Sequence, residues 1–152
     1  MKIYIAADHA GFYLKKQLIA YLKIKGYEVE DMGAFEMNEA DDYPDFIIPL
    51  ATKVARGKPG ETCGIVIGGS GQGEAIVANK VKGIRAAVYY GGNNQIPKLA
   101  KEHNDANILS LGARFMSGDD AKKAVTAWLD AKFEGGRHNA RIDKINKLET
   151  GS

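Results

Sequence analysis

Cys63-Gly64-Ile65-Val66-Ile67-Gly68-Gly69-Ser70-Gly71-Gln72-Gly73-Glu74 sets the frame for the whole 152-residue chain. A β-branched apolar run, too short for a helix, stops at a cluster of glycines, and Glu74-Ala75-Ile76-Val77-Ala78-Asn79-Lys80 continues with helix-like spacing. The order is strand, tight loop, helix. Glycines remove the Cβ atoms that hold a ligand away from the backbone, so successive N–H groups beside a helix N-terminus can converge on an anion. Glu74 places a carboxylate at the edge of that electropositive loop. The Lys-Ser/Thr ending of a nucleotide phosphate loop is missing, and Glu74 stands where the dinucleotide fingerprint has its last glycine. Two readings remain: a glycine-rich surface turn, or a loop that holds a small anion such as an enediolate or carboxylate beside a catalytic base.

Outward from this stretch the chain alternates. Lys2 to Ala7 is a β-prone run ending at Asp8-His9-Ala10-Gly11, and Phe12, Leu14, Leu18, Ile19 and Leu22 then recur at helical spacing up to Gly26. Tyr27 to Asp31 reads as a second strand, and the acidic loop at Asp41-Asp42-Tyr43-Pro44 starts a helix carrying Ile47, Leu50, Ala51 and Val54. Beyond the glycine loop come a strand at Ile84–Tyr89, a helix around Ile96–Glu102, a strand at Asn107–Leu111, and helices at Ala121–Phe133 and Arg137–Leu148. Five strands alternating with helices predict an α/β protein: one domain over residues 1–152, Rossmann-like, with a parallel sheet between two helical layers. In such folds ligands bind where the strands end. Asp8 and His9, Ser70 and Glu74, then His103, Asn104 and Asp105 before the fifth strand and Arg114 beyond it, are expected on one rim. Each taken singly also suits a structural role, as a helix cap, a helix-terminal histidine or a surface ion pair.

Composition narrows the class. Apolar residues make up 45% and charged residues 26%, and no apolar run approaches the roughly 20 residues that cross a membrane. The N-terminus opens directly on a strand without a secretory h-region, and the single Cys63 suits a reducing compartment, so the cytoplasm is expected. A net charge of +2 is too small to point to nucleic acid. His9, His103 and His138 follow no metal-binding spacing, and no metal is expected. Glu149-Thr150-Gly151-Ser152 reads as a tag-like ending.

Asp8-His9-Ala10-Gly11, Asp42-Tyr43-Pro44, Gly68 to Glu74 with Ala78-Asn79-Lys80, His103-Asn104-Asp105-Ala106-Asn107, and Gly135-Gly136-Arg137-His138 with Arg141 occur in that order. With these five blocks the chain resembles the ribose-5-phosphate isomerase type B and galactose-6-phosphate isomerase family over nearly its whole length. The resemblance implies interconversion of an aldose phosphate and its ketose through an enediolate, without a cofactor. Glu74 is then the base that moves a proton between C2 and C1, a role that partial desolvation of a carboxylate suits. The N–H groups from Gly69 through Gly71 and Gln72 to Gly73 would hold the enediolate oxygens, with the Ser70 hydroxyl near O1. One branch of the family uses a cysteine just before the loop; the matching position here is Gly68, and Cys63 lies five residues earlier.

By the same resemblance His103 and Asp8 open the sugar ring and Asn104 binds a substrate hydroxyl. Arg137 and Arg141, four residues apart and so on one helical face, would take the phosphate with Arg114 and His9. The C-terminal helix of the family reaches across a subunit interface, which implies a homodimer or a dimer of dimers with shared sites. The expected substrate pair is ribose 5-phosphate and ribulose 5-phosphate. A hexose 6-phosphate such as allose or galactose 6-phosphate is the alternative within the same chemistry, and a non-catalytic sugar-phosphate-binding module is the alternative outside it.

Overall fold

A computed structural model describes residues 1–151. Five parallel strands, β1 (Lys2–Ala7), β2 (Glu28–Asp31), β3 (Thr62–Gly68), β4 (Ala86–Tyr89) and β5 (Ile108–Gly112), form one sheet in the order β2-β1-β3-β5-β4. The helices are α1 (Phe12–Ile24), α2 (Pro44–Arg56), α3 (Gln72–Asn79), α4 (Gln95–Asn104), α5 (Gly118–Asp130) and α6 (Arg137–Thr150).

Strand alternation sends side chains to two separate cores. Ile3, Ile5, Ile65, Ile67, Leu109 and Leu111 pack under Leu18 and Leu22 of α1 and Ala124, Val125 and Trp128 of α5. Ala6, Val66 and Ile108 point the other way, under Ile47, Leu50 and Val54 of α2 and Ala78 of α3. The central β3 is therefore buried on both faces, which is why its sequence is a continuous apolar run rather than an alternating one.

Helix ends follow local chemistry. Pro44 opens α2, where a missing N–H costs nothing. Ser117 caps α5 by accepting the Asp120 N–H at 3.1 Å, so this helix starts before the expected Ala121. It also stops at Asp130 rather than Phe133, because Ala131 turns extended (ψ 153°). At the other end of the chain Glu149 and Thr150 continue α6, and Glu149 Oε2 accepts the Gly83 N–H at 2.7 Å. Both therefore lie within α6, while Ser152 lies outside the described residues.

From β1 the sheet grows in one direction to β2 and in the other to β3. The connections therefore part above the β1–β3 pair, opening a crevice at the C-terminal ends of these two strands. No helix among the described residues is long and apolar enough to cross a membrane.

Candidate active site

Ala7 lies opposite Ile67 in the β1–β3 register, so Asp8 leaves its strand beside the glycine loop. Asp8 is buried at 6% exposure and accepts the Ala10 N–H at 3.0 Å, which closes a 3-10 turn over His9–Gly11. Across the crevice Gly71 adopts a left-handed conformation (φ 80°) that an L side chain would resist, and the turn starts α3. Its carbonyl accepts the buried Ser110 hydroxyl of β5 at 2.7 Å, pinning the loop from below. The Ser70 Oγ accepts the Gln72 N–H at 3.3 Å, which leaves its own proton available to a substrate oxygen.

Glu74 falls in the first turn of α3 and is only 4% exposed. Its carboxylate fills the space directly over Gly68, where a Cβ would collide with both of its oxygens. Burial raises its pKa above the ordinary glutamate value, and the nearby Asp8 charge pushes it the same way, against a lowering contribution from its own backbone N–H. Tyr43, at the entrance to α2, lays its ring against Gly73 so closely that a Cβ there would strike it.

Beyond β5 the ladder continues, with the Ala113 N–H donating to Gly68 O at 2.8 Å and the Arg114 N–H to Gly69 O at 3.0 Å. That pairing brings the Arg114 guanidinium over the loop: a Cβ on Gly69 would lie 3.1 Å from Arg114 Nη1. On the other flank the His9 backbone N–H and ring Nδ1 both meet Asp41 Oδ1, at 3.1 and 2.7 Å. Asp8, His9, Ser70, Glu74, Arg114 and the N–H groups of Gly69 to Gly73 thus share one edge of the sheet.

His103, Asn104 and Asp105 do not join them, which corrects the expectation of one rim. They end α4, and a helix that precedes a strand in a parallel sheet returns the chain to the strand's N-terminal edge. Five residues of β5, roughly 17 Å, separate that edge from Arg114. Asp105, left-handed at φ 47°, serves the local backbone instead, since its carbonyl and that of Asn104 accept the Arg85 Nε–H at 3.1 and 3.0 Å.

His103 meets α6. Its ring stacks on His138 at 4.4 Å between centroids and 17° between planes, and Glu134 Oε2 lies 3.9 and 3.7 Å from the two Nε2 atoms. Arg141 Nη1 approaches His138 Nδ1 at 3.5 Å, which favours a neutral His138 with its proton on Nε2. Burial lowers the His138 pKa first, and His103, Arg137 and Arg141 lower it further. Arg137 and Arg141 are exposed, and among the described residues neither they nor Arg114 forms an ion pair with a carboxylate.

Asp41, Glu134 and His138 carry no role in the sequence reading. Asp41 is legible there only as one acid in a run, and its contact with His9 spans 32 residues.

A buried carboxylate of raised pKa, a second acid at the neighbouring strand end, converging N–H groups and an arginine without an acidic partner define a site for proton transfer on a small anion. Comparisons with known proteins narrow this class. The family profile described as Ribose/Galactose Isomerase matches residues 3–145. Probable ribose-5-phosphate isomerase B of Mycoplasma genitalium is 43% identical, with 97% of this chain and 95% of that protein covered. Ribose-5-phosphate isomerase B of Escherichia coli K12 is 41% identical, over 97% and 96%. The crystal structure of the Mycoplasma genitalium enzyme with bound ribulose-5-phosphate superposes with a TM-score of 0.94 at 42% identity, covering 99% of this chain and 97% of that one. The solved structure of Clostridium thermocellum ribose-5-phosphate isomerase B gives a TM-score of 0.90 at 49% identity, covering 99% of both chains. The chain belongs to the ribose/galactose isomerase family.

Proposed function

We propose that this protein interconverts ribose 5-phosphate and ribulose 5-phosphate through an enediolate. The observation that carries the assignment is the Glu74 carboxylate, buried over Gly68 with its pKa raised. A family branch has a cysteine at the position of Gly68, and the carboxylate occupies the space such a side chain would take. Two different bases would then act from one place.

Glu74 removes the C2 proton and returns it to C1, while N–H groups from Gly69 to Gly73 and the Ser70 hydroxyl hold the charge that develops on O1 and O2. Before that step Asp8 and His103 open the sugar ring, and Asn104 binds a hydroxyl. Since His103 and Glu74 belong to opposite sheet edges of one chain, the ring-opening pair is formed with the partner subunit's His103 in a homodimer, alone or in a dimer of dimers. Arg137 and Arg141 reach the phosphate from α6 of the same partner subunit and meet His9 and Arg114. The buried lone Cys63 suits the cytoplasm.

The test is a discontinuous isomerisation assay on ribose 5-phosphate, allose 6-phosphate and galactose 6-phosphate at equal concentration, with Glu74→Gln as control. The pentose phosphate is expected to turn over fastest. A faster hexose phosphate overturns the substrate, tight binding without turnover overturns the enzyme, and a fully active Glu74→Gln protein overturns the base.

A further inference from the structure

His9 carries one constraint that phosphate binding alone does not require. Asp41 Oδ1 accepts both the backbone N–H and the ring Nδ1–H of His9, at 3.1 and 2.7 Å, with the Asp41 side chain only 7% exposed. The second carboxylate oxygen, Oδ2, is buried without a hydrogen-bond partner, one of two such side-chain atoms among the described residues. Leaving a buried acceptor unmatched is unfavourable. An asparagine carbonyl would accept the same backbone N–H without carrying a charge into the fold. The carboxylate therefore acts through its charge, and the group within its reach is the imidazole.

We infer that Asp41 is a positioning residue for substrate binding: it fixes the His9 ring with Nδ1–H inward and places a negative charge against it, so that Nε2 is presented to the substrate phosphate and the protonated, donating form of the ring is favoured. The inference rests on the reading of His9 as a phosphate ligand. A doubly protonated imidazole donates at both nitrogens, and one donor is already spent on Asp41. The charged groups facing His9 are Asp41, Asp8 and Arg114; the two carboxylates raise its pKa and the guanidinium lowers it, with the Asp41 hydrogen bond the largest influence. The acids prevail. A phosphate held between a protonated His9 and Arg114 then meets two cations rather than one, and Nε2 is aimed before the substrate arrives.

The geometry of the acidic segment supports this division of labour. Asn38 orders it, accepting the Asp41 N–H on its carbonyl at 3.0 Å and the Ala40 N–H on its side chain at 3.0 Å. The turn thus holds Asp41 in place through the backbone, without using its carboxylate.

Asp41→Asn tests the inference, with inorganic phosphate as the probe and the His9 ring followed by NMR. In the unmodified protein His9 is expected to titrate at higher pH than in Asp41→Asn. The variant is expected to raise the phosphate inhibition constant and the KM for ribose 5-phosphate about tenfold at neutral pH, with the loss falling on KM rather than kcat. Lowering the pH should restore most of the variant's affinity by protonating His9. In a His9→Gln background Asp41→Asn should add little, because the two act as one unit. An unchanged His9 titration overturns the inference, as does an effect on kcat alone that persists without His9. If His9 titrates lower in Asp41→Asn while His9→Gln leaves phosphate inhibition untouched, the phosphate reading of His9 fails and the substrate half of the inference fails with it. Asp41→Glu, which keeps the charge, should recover part of the affinity; recovery no better than Asp41→Asn counts against a charge effect.

Discussion

The two edges of the sheet are built differently. At the C-terminal edge the site hangs on strand ends: Asp8 follows β1, Gly68 to Glu74 follow β3, and Arg114 follows β5 in a continued ladder. At the N-terminal edge the His103–His138 stack depends on two helix ends, α4 and α6, and on Glu134 between them. Strand ends are fixed by a hydrogen-bonded sheet with a buried core on each face, so the first cluster is held in place by one chain's own sheet. On the proposed reading each cluster lacks what the other holds, which is the physical argument for proposing that they join across two copies.

Removing the base gives the largest effect. Glu74→Gln is expected to lower kcat for ribose 5-phosphate by about 10³-fold or more, within the range for a positioned proton-transfer group. A drop confined to KM would move Glu74 from the chemistry to mere binding. Mixing then separates the edges. If loop and helix clusters come from different chains, co-expressed Glu74→Gln and His103→Ala subunits restore one intact site in each mixed dimer, or about a quarter of normal activity after random pairing. Mixtures no better than either parent would place both clusters in one chain.

The electrostatics of Glu74 give a smaller, signed expectation. Its folded pKa is raised, so the proton is held more tightly in the folded protein than in the unfolded one. The associated stability is present below the unfolded pKa and lost as pH rises through the folded one. At neutral pH the buried carboxylate is therefore a cost, and Glu74→Gln is expected to raise stability by about 1 kcal/mol, roughly 2–4 °C in Tm. Activity runs the opposite way: kcat/KM should fall as pH drops through that raised pKa, because only the carboxylate accepts the proton. A Tm lowered by Glu74→Gln would mean that the charge is better satisfied than its burial indicates.

The first edge is legible in the sequence and the second only in part. Periodicity locates all five strands within two residues, and each strand end names its loop residues directly, which is how Asp8, Ser70, Glu74 and Arg114 emerge. Adjacency to a strand puts His103 on the same rim; it stands before β5, however, and strand direction sends it to the other edge. Chain order alone suffices to avoid that error. The Asp41–His9 contact and the His103–His138 stack are not readable, since each joins residues at least 32 apart through packing that no local pattern encodes. Lys15 is similar: it is 1% exposed mid-helix in α1 and donates to Asp31 Oδ1 at 2.8 Å, a partner 16 residues away.

Cys63 sharpens the contrast most finely, because it shares β3 with the glycine loop yet lies at the strand's opposite end. It pairs with Ile3 near the start of the β1–β3 register, is 1% exposed, and burial pushes its thiol up to about 11. A thiol protonated throughout the neutral range is a poor base and a poor nucleophile. Cys63→Ser is therefore expected to change kcat by less than about twofold, while a hydroxyl in the apolar core lowers stability by about 1–2 kcal/mol. Denaturant titration and the isomerisation assay on the same preparation separate the two effects. A large loss of kcat at unchanged stability would mean that chemistry extends down the strand, and the division between a reactive edge and an inert interior of β3 would have to be abandoned.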